Sequence, residues 1–224
     1  MIISIHQPET YPQISFFEKI QRSDLFVILD DVQFRKNYFQ NRNVITDDQG
    51  KMHYLTIPVS KKSELIFQKE ILDTDIASKH YSKIKNIKNK SPYIGELKEF
   101  FSNDVRHNKI VAYNMDFINW TCRRLGIKTK IEYSSNLKFE QKKSKLILEI
   151  CKNLNATQYY SGISGGDYLD REEFEKQEVK ILFQDSLTIY EEIEKHGKNR
   201  HSSMIDLIAD IGFDRIRKIL EKVA

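Results

Sequence analysis

A run of five apolar residues near the amino terminus constrains the fold more than any other feature of the chain. Leu25-Phe26-Val27-Ile28-Leu29 lacks the alternation of a strand that has one solvated face. Such runs belong to parallel sheets covered by helices on both faces. Just before it, Ile14, Phe17 and Ile20 recur at helical spacing over residues 14–22. This spacing predicts a helix over residues 14–22, which would form the crossover connection that leads into the apolar strand.

The segment before this helix completes a β-α-β unit. Residues 2–5 are β-prone, and Pro8 soon follows, which cannot continue a central ladder. Residues 1–30 therefore predict two parallel strands joined by a right-handed crossover. Further strands are predicted over residues 54–59, 65–72, 127–133 and 179–183. Further helices are predicted over residues 80–90, 92–101, 114–125 (with Gly126 at its C-cap), 145–154, 168–174, 203–211 and 214–223.

The 224 residues contain no internal repeat, linker or break in composition, which predicts a single domain over residues 1–224. Helical patterns cluster between about 76 and 125, as expected of an insertion. The predicted class is α/β: a three-layer, Rossmann-like, mostly parallel sheet with a helical insertion and a helical C-terminus.

Charge and targeting features restrict partners and location. The net charge of +4 is small beside 36 basic and 32 acidic residues, so composition does not mark a nucleic-acid binder. No signal peptide and no membrane-length apolar segment is recognisable, so we expect a cytoplasmic protein without a membrane partner. Cys122 and Cys151 lie in apolar, helix-like surroundings and are predicted to be buried reduced thiols.

Three unusual segments are expected at one edge of the sheet. His6-Gln7-Pro8 follows the first strand, Asp30-Asp31 follows the second, and the loop 161–166 follows a later one. Ligands of open parallel sheets bind beyond the carboxyl ends of the strands. These segments are therefore predicted to converge on a binding site.

The first two segments carry candidate catalytic groups. His6 has the chemistry of a general acid or base, or of a donor to phosphate or carbonyl oxygen, and its alternative role is to cap the turn at Pro8. Gln7 would hold the ring tautomer or bind substrate. Asp30 and Asp31 suit Mg²⁺ or an amine or sugar hydroxyl. Their alternative is one turn-capping and one solvated carboxylate.

Two polar loops supply candidate substrate-binding residues. Residues 33–43 offer an arginine fork and several amides, which suit an anionic, hydroxyl-rich ligand, although a mobile surface loop has a similar composition. Residues 161–167 are glycine-rich and suit an anion, or form an ordinary strand-to-helix turn with Asp167 as N-cap. The candidates are Gln33, Lys36, Asn41, Arg42, Asn43, Ser161, Gly162, Gly165 and Asp167.

The basic stretch 79–90 interleaves lysines with apolar residues. This composition is compatible with contacts to RNA or phosphate. A helix that buries its apolar side and leaves its lysines in water is the favoured interpretation.

A series of short motifs is distributed along the chain: His6-Gln7-Pro8 with Tyr11-Pro12, Phe16-Phe17-x-Lys19-Ile20, Ser23-Asp24, Asp30-Asp31-Val32-Gln33-Phe34, Asn41-Arg42-Asn43, Pro92-Tyr93, Leu125-Gly126-Ile127, Tyr160-Ser161-Gly162, Tyr168-Leu169 and Ser203-Met204-Ile205-Asp206-Leu207. In these motifs the chain resembles the WbqC-like protein family over nearly its whole length. Glu9 departs from the family pattern, in which asparagine is common, and residues 191–201 are unusually charged.

The resemblance implies work on surface polysaccharides or modified sugars. The preferred reaction is acyl or aminoacyl transfer to the amine of a nucleotide-linked amino sugar, with tRNA as one candidate acyl donor. His6 would be the base or the oxyanion donor. Asp30 and Asp31 would orient the ammonium or hydroxyls, and Arg42 with the loop 161–166 would hold phosphate. Gln7 and Tyr11, which belong to the amino-terminal motif of the resemblance, are expected near the same small-molecule, phosphate-bearing substrate.

Two other functions remain open at this stage. The β-strand, histidine turn and helix resemble nucleotidylyltransferase-like folds, so ATP-dependent ligation or nucleotidyl transfer is the first alternative, with Asp30 or Asp31 on Mg²⁺. Those enzymes usually have two histidines where this chain has His6 alone. The second alternative is a non-catalytic module that binds a sugar nucleotide or RNA. No metal or cofactor motif is built into the sequence, and ATP with Mg²⁺ enters only under the first alternative.

Overall fold

A five-stranded parallel sheet forms the centre of the structure, a computed structural model that describes residues 1–62, 64–102 and 107–223. Its strand order is β5-β2-β1-β6-β7, and a separate antiparallel hairpin pairs β3 with β4 once the strands are numbered along the chain. The strands are β1 (Ile2–His6), β2 (Leu25–Ile28), β3 (Arg42–Thr46), β4 (Met52–Thr56), β5 (Lys130–Tyr133), β6 (Gln158–Ser161) and β7 (Lys180–Phe183).

Helices cover both faces of this sheet, which confirms the predicted α/β class. Phe26 and Ile28 belong to one hydrophobic core with α1, α4, α7 and α8, whereas Leu25 and Val27 belong to a second core with α5 and α6. The helices are α1 (Ile14–Gln21), α2 (Ile76–Ile87), α3 (Lys98–Ser102), α4 (Ile110–Leu125), α5 (Lys143–Asn153), α6 (Arg171–Lys176), α7 (Ser186–Glu194) and α8 (Met204–Val223).

Strand β2 shows why its sequence is apolar throughout. All four of its residues are buried, because side chains alternate between two covered faces. It pairs in parallel with β1, and the register places His6 opposite Ile28. Strand β1 also pairs in parallel with β6 on its other side. The order of the sheet reverses between β1 and β6, which makes their carboxyl ends the topological switch point.

Several predicted boundaries were wrong for local reasons. Residues 65–72 form no strand, because Leu65 and Ile71 bridge to different partners and a 3-10 turn, Ile66–Gln68, separates them. The segment 168–174 becomes helical only at Arg171, where the Asp170 side chain accepts from a backbone N–H and caps α6. Asp167 is therefore not an N-cap. Strand β3 was missed because its first two residues, Arg42 and Asn43, were assigned to the polar loop 33–43 and its last three were not assigned to any element.

Other expectations agree with the structure. Gly126 caps α4 in the left-handed conformation. Cys122 and Cys151 are free, buried thiols, and burial raises the pKa of each to about 12. In the described part of the chain, no helix is long and apolar enough to cross a membrane.

The basic stretch 79–90 lies mostly on α2, which buries its apolar side. Lys79 forms a 2.7 Å ion pair with Asp73. Lys88 is buried, and its Nζ lies 2.8 Å from carboxylate oxygens of both Asp206 and Asp210. Lys90 Nζ lies 3.8 Å from Asp48, so three lysines of the stretch are already paired within the protein.

A backbone irregularity at Gly212 divides the carboxy-terminal helical segment α8. Its φ of 76° and ψ of 159° lie in a region that essentially only glycine adopts. A Cβ at this position would lie 2.8 Å from a ring carbon of Tyr93. Gly212 thus allows the two parts of α8 to change direction against the segment that carries Tyr93.

We expect Gly212→Ala to lower the free energy of unfolding by at least about 1–3 kcal/mol, from the strained backbone and the clash with Tyr93. Urea unfolding at constant pH measures the loss. Gly95→Ala is the matched control, since Gly95 has no positive φ and its added Cβ meets nothing within 4 Å. Equal stability of the two variants would contradict the assignment.

Candidate active site at the carboxyl ends of β1 and β6

A cavity of about 230 Å³ opens at the topological switch point of the sheet. Parallel sheets bind ligands at this position, because the loops diverge there and leave a crevice. The residues that matter most in its lining are His6, Glu9, Lys19, Gly162, Ser164 and Gln184.

His6 ends β1 and faces this cavity as a neutral imidazole. Its Nδ1 lies 3.0 Å from the carbonyl oxygen of Gln7. A carbonyl only accepts, so Nδ1 carries the proton and Nε2 keeps a free lone pair. Burial, and second the charge of Lys19, lower the pKa of His6 to about 3. The His6 side chain is 32% exposed, so the neutral imidazole is accessible from the cavity.

Lys19 projects from α1 into the same cavity as a buried cation. Its residue is 5% exposed, and its Nζ forms no hydrogen bond or ion pair with any residue in the described part of the chain. A Cβ added at Gly162 would lie 3.8 Å from this Nζ. Burial lowers the pKa of Lys19 to about 8, against the opposing charges of Glu9 and Glu18. A buried ammonium without a direct partner favours an anionic ligand.

Glu9 is the third titratable group of the cavity. Its Oε1 lies 3.8 Å from Nδ1 of His6. Burial raises the pKa of this carboxyl to about 7, although the charge of Lys19 acts in the other direction. Glu9 therefore changes its charge near neutral pH, beside a neutral base and a cation.

Glu18 does not serve as the missing partner of Lys19. The hydroxyl of Tyr160 donates to Glu18 Oε1 over 2.7 Å, and the Gln184 amide donates to Oε2. Arg22 lies 3.7 Å from Glu18 Oε1. These neighbours satisfy both oxygens of the Glu18 carboxylate, and Glu18 and Lys19 form no ion pair.

Gln7 positions the turn that follows β1. Its Oε1 accepts from Nε2 of Gln40 over 2.7 Å. The carbonyl of Gln40 accepts in turn from Thr10 Oγ1 at 3.0 Å and from Asn114 Nδ2 at 2.9 Å. The side chain predicted to bind substrate is thus bonded to the scaffold, and its carbonyl orients His6.

Three other candidate binding residues lie in the interior. Tyr11 is completely buried, and its hydroxyl lies 2.8 Å from Nδ1 of His80, so a role in substrate binding does not fit. Asn41 donates to the carbonyl of Ile57 at 3.0 Å. Asn43 donates to the carbonyls of residues 10 and 11 at 3.1 and 2.9 Å. Both asparagines use their side-chain amides to satisfy buried backbone groups.

Asp30 and Asp31 lie outside the cavity and connect β2 with the turn after β5. Asp30 accepts from Ser134 Oγ at 3.2 Å and from Ser135 N and Oγ at 3.0 and 2.8 Å. Asp31 also accepts from Ser134. With its oxygens engaged in this way, Asp30 is a structural residue, and the structure does not support the catalytic role predicted for the pair.

The glycine-rich loop contributes only part of its length to the cavity. Gly162 and Ser164 line it. Ser161 is buried and donates to the carbonyl of Gly162 at 3.0 Å, and a Cβ at Gly165 would lie 2.0 Å from Ser161 Oγ. Ser161 and Gly165 therefore maintain the loop's shape. Asp167 is exposed and absent from the lining.

The loop 33–43 leads to a second cavity, of about 350 Å³, beside the first. Arg42 and Asn43 line it, whereas Gln33 and Lys36 are exposed on the surface outside it. Gln13 and Phe39 line both cavities, so the two are neighbours.

A model of the WbqC-like protein family matches residues 7–218. The chain belongs to this family. An uncharacterized protein of Mycobacterium tuberculosis (strain H37Rv), Rv1507c, is 26% identical over 218 residues, which cover 94% of each chain. No solved structure matches the chain. The family assigned from the motifs is thus confirmed, and the His-Gln-Pro motif of this WbqC-like protein lies at the switch point.

Glu9 and Lys19 were missed as site residues at the sequence level. The pair Glu18-Lys19 interrupts an otherwise apolar segment, residues 14–20, and six of the eight residues of α1 are buried. Charged residues are seldom fully buried unless they are paired, so charges inside such a short apolar helix could have indicated a site.

We expect Lys19→Met to raise the free energy of unfolding at pH 7 by on the order of 1–4 kcal/mol, because it removes a buried, unpaired charge. The wild-type pKa of about 8 lies below the ordinary 10.5. The unfolded chain therefore binds this proton more tightly, and wild-type stability should rise towards that of the variant between pH 8 and 10.5.

Urea unfolding across this pH range provides the measurement. Lys36→Met, at an exposed position, serves as control and should change stability by less than about 0.5 kcal/mol. A Lys19→Met protein less stable than wild type at pH 7 would show that the ammonium has a stabilising partner.

Proposed function

We propose that this WbqC-like protein transfers an acyl or aminoacyl group to the amine of a nucleotide-linked amino sugar, in the synthesis of surface polysaccharides or modified sugars. The observation that carries the proposal is the placement of neutral His6 beside the unpaired ammonium of Lys19 in one cavity. A proton acceptor next to a fixed positive charge suits a reaction in which an amine loses a proton and an oxyanion forms.

In the proposed step, the lone pair of the sugar amine attacks the carbonyl carbon of an activated ester or thioester. The new C–N bond forms while the carbonyl oxygen takes up negative charge, which Lys19 stabilises. Nε2 of His6 accepts a proton from the attacking nitrogen. The oxyanion then collapses, the C–O or C–S bond of the donor breaks, and the proton passes to the leaving group.

Glu9 completes this arrangement on the far side of the imidazole. Its carboxylate, 3.8 Å from Nδ1, stabilises the imidazolium that forms when Nε2 accepts the proton. The tautomer itself is held by the Gln7 carbonyl. Because Nε2 has no proton in this tautomer, His6 acts as an acceptor and not as the oxyanion donor, the other role considered for it.

Ligation with ATP and Mg²⁺ has less support. That alternative assigned the metal to Asp30 or Asp31, and Asp30 accepts three hydrogen bonds from Ser134 and Ser135. A non-catalytic binding module would use the same cavities without turnover. Thermal-shift screening of nucleotides, nucleotide-linked amino sugars and tRNA, followed by product analysis, separates these possibilities. Tight binding of a ligand, with no product formed from any acyl donor or from ATP, would exclude an enzymatic function.

We expect His6→Gln to lower kcat/KM for the transfer by about 10²–10⁴-fold, the usual contribution of one proton-transfer group. Mass spectrometry of the acylated sugar, with acyl thioesters and aminoacyl-tRNA as donors, gives the rate. His196→Gln alters an exposed histidine outside the cavity and should retain wild-type activity. Full activity of His6→Gln would remove His6 from the mechanism.

We also expect a bell-shaped dependence of kcat/KM on pH. It should rise through about pH 7, where Glu9 ionises, and fall above about pH 8, where Lys19 loses its charge. Initial rates between pH 5.5 and 9.5 at constant ionic strength test this. Glu9→Gln should remove the rise near pH 7, and its persistence in that variant would assign it to another group.

A further inference from the structure

The second cavity has the size of a small-molecule site. Its volume of about 350 Å³ falls at the lower end of the ~300–1,000 Å³ of ligand pockets, whereas the 230 Å³ around His6 falls below that range. The first cavity can therefore hold the reacting ends of a substrate but not a whole nucleotide-linked sugar. Gln13 and Phe39 line both cavities, so the second cavity adjoins the one around His6.

Three large aromatic rings, Tyr38, Phe39 and Tyr54, line the second cavity. Tyr54 on β4 is 57% exposed and Tyr38 is 42% exposed, which is unusual for such large rings. Phe39 packs edge-on against Tyr38, with ring centroids 5.0 Å apart. Arg35 lies over one face of the Tyr38 ring, 4.3 Å from its centroid. The exposed ring surface that no guanidinium covers is where a planar base can stack.

The charge of the cavity suits a phosphorylated ligand. Arg42 lies over the Tyr54 ring, 4.8 Å from its centroid, and its Nε donates to Thr56 Oγ1 over 2.9 Å. These contacts leave the terminal nitrogens of the guanidinium for a phosphate. His201 also lines the cavity, and none of the described residues in its lining is acidic.

From these features we propose that the second cavity binds the nucleoside diphosphate portion of the substrate. The base stacks on the ring of Tyr54, the phosphates bind Arg42, and the attached sugar extends past Gln13 and Phe39 to His6. The position of the sugar rests on the proposed transfer reaction, whereas the binding of the nucleotide rests on the cavity alone.

A single nucleotide fits these observations better than an RNA strand. RNA binding needs a groove along which cations follow successive phosphates. The basic stretch 79–90 does not supply one, because Lys79 pairs with Asp73, and Lys88 is buried against Asp206. Aromatic and cationic groups meet instead within one bounded cavity.

Calorimetric titration of the full chain with UDP, ADP, GDP, dTDP and inorganic pyrophosphate tests the proposal. We expect at least one nucleoside diphosphate to bind about tenfold or more tightly than pyrophosphate, since stacking adds to the phosphate contacts. Tyr54→Ala should weaken that nucleotide about tenfold and leave pyrophosphate within about twofold. Arg42→Lys should weaken both ligands, because lysine lacks the planar donor fork.

Tyr168→Ala is the matched control, since Tyr168 is an exposed tyrosine outside both cavities and its removal should not change the nucleotide's Kd. Tyr38→Ala provides a second test should Tyr54→Ala fail to fold. The proposal is overturned if no nucleoside diphosphate binds more tightly than pyrophosphate, or if Tyr54→Ala and Tyr168→Ala bind it equally. A single-stranded RNA that binds tenfold more tightly than every mononucleotide would also overturn it.

The two proposals can fail separately. Nucleotide binding that depends on Tyr54, without any acylated product, would refute the transfer reaction and retain the nucleotide site. Acylation of an amino sugar that carries no nucleotide, by a protein without affinity for nucleoside diphosphates, would do the reverse. Lys19→Met should abolish transfer and leave the nucleotide's Kd within about twofold, because Lys19 lines only the first cavity.

Discussion

The parallel pairing of β1 with β2 on one side and β6 on the other determines the geometry of the site. The register with β2 places His6 at the end of its strand, opposite Ile28. Buried hydroxyls reinforce it, since Ser23 Oγ donates to Ser4 Oγ and Ser4 Oγ donates to the carbonyl of Tyr160, each over 2.8 Å. The crossover helix α1 brings Lys19 to the same end, and the loop after β6 brings Gly162.

Two buried lysines, Lys88 and Lys19, differ in whether they have carboxylate partners. Lys88 is 4% exposed and lies 2.8 Å from each of two carboxylates, Asp206 and Asp210. Lys19 is equally buried but has no such partner in the described residues. Desolvation of an unpaired cation costs several kcal/mol, so a chain that pairs one buried lysine and not the other maintains a destabilised group in the candidate active site.

Much of the fold could be predicted because it depends on local pattern. The apolar run at residues 25–29 indicated a strand covered on both faces, and periodicity located most helices to within a few residues. The strand predicted over residues 65–72 was wrong, because these residues bridge to separate partners far along the chain. Strand β3 was not predicted, because the polar residues before it gave no strand pattern that would indicate its hairpin with β4.

The sequence by itself determined the family, the parallel α/β sheet and the position of His6 at the carboxyl end of the first strand. Only the tertiary structure decided which polar side chains face a cavity. The Asp30 side chain accepts from Ser134, 104 residues away, and the Asn41 side chain donates to the carbonyl of Ile57, 16 residues away. A polar residue that bonds the scaffold looks the same in sequence as one that faces a cavity. The difference depends on long-range burial, which also turned Lys19, an ordinary helical lysine in the sequence, into the unpaired cation beside His6.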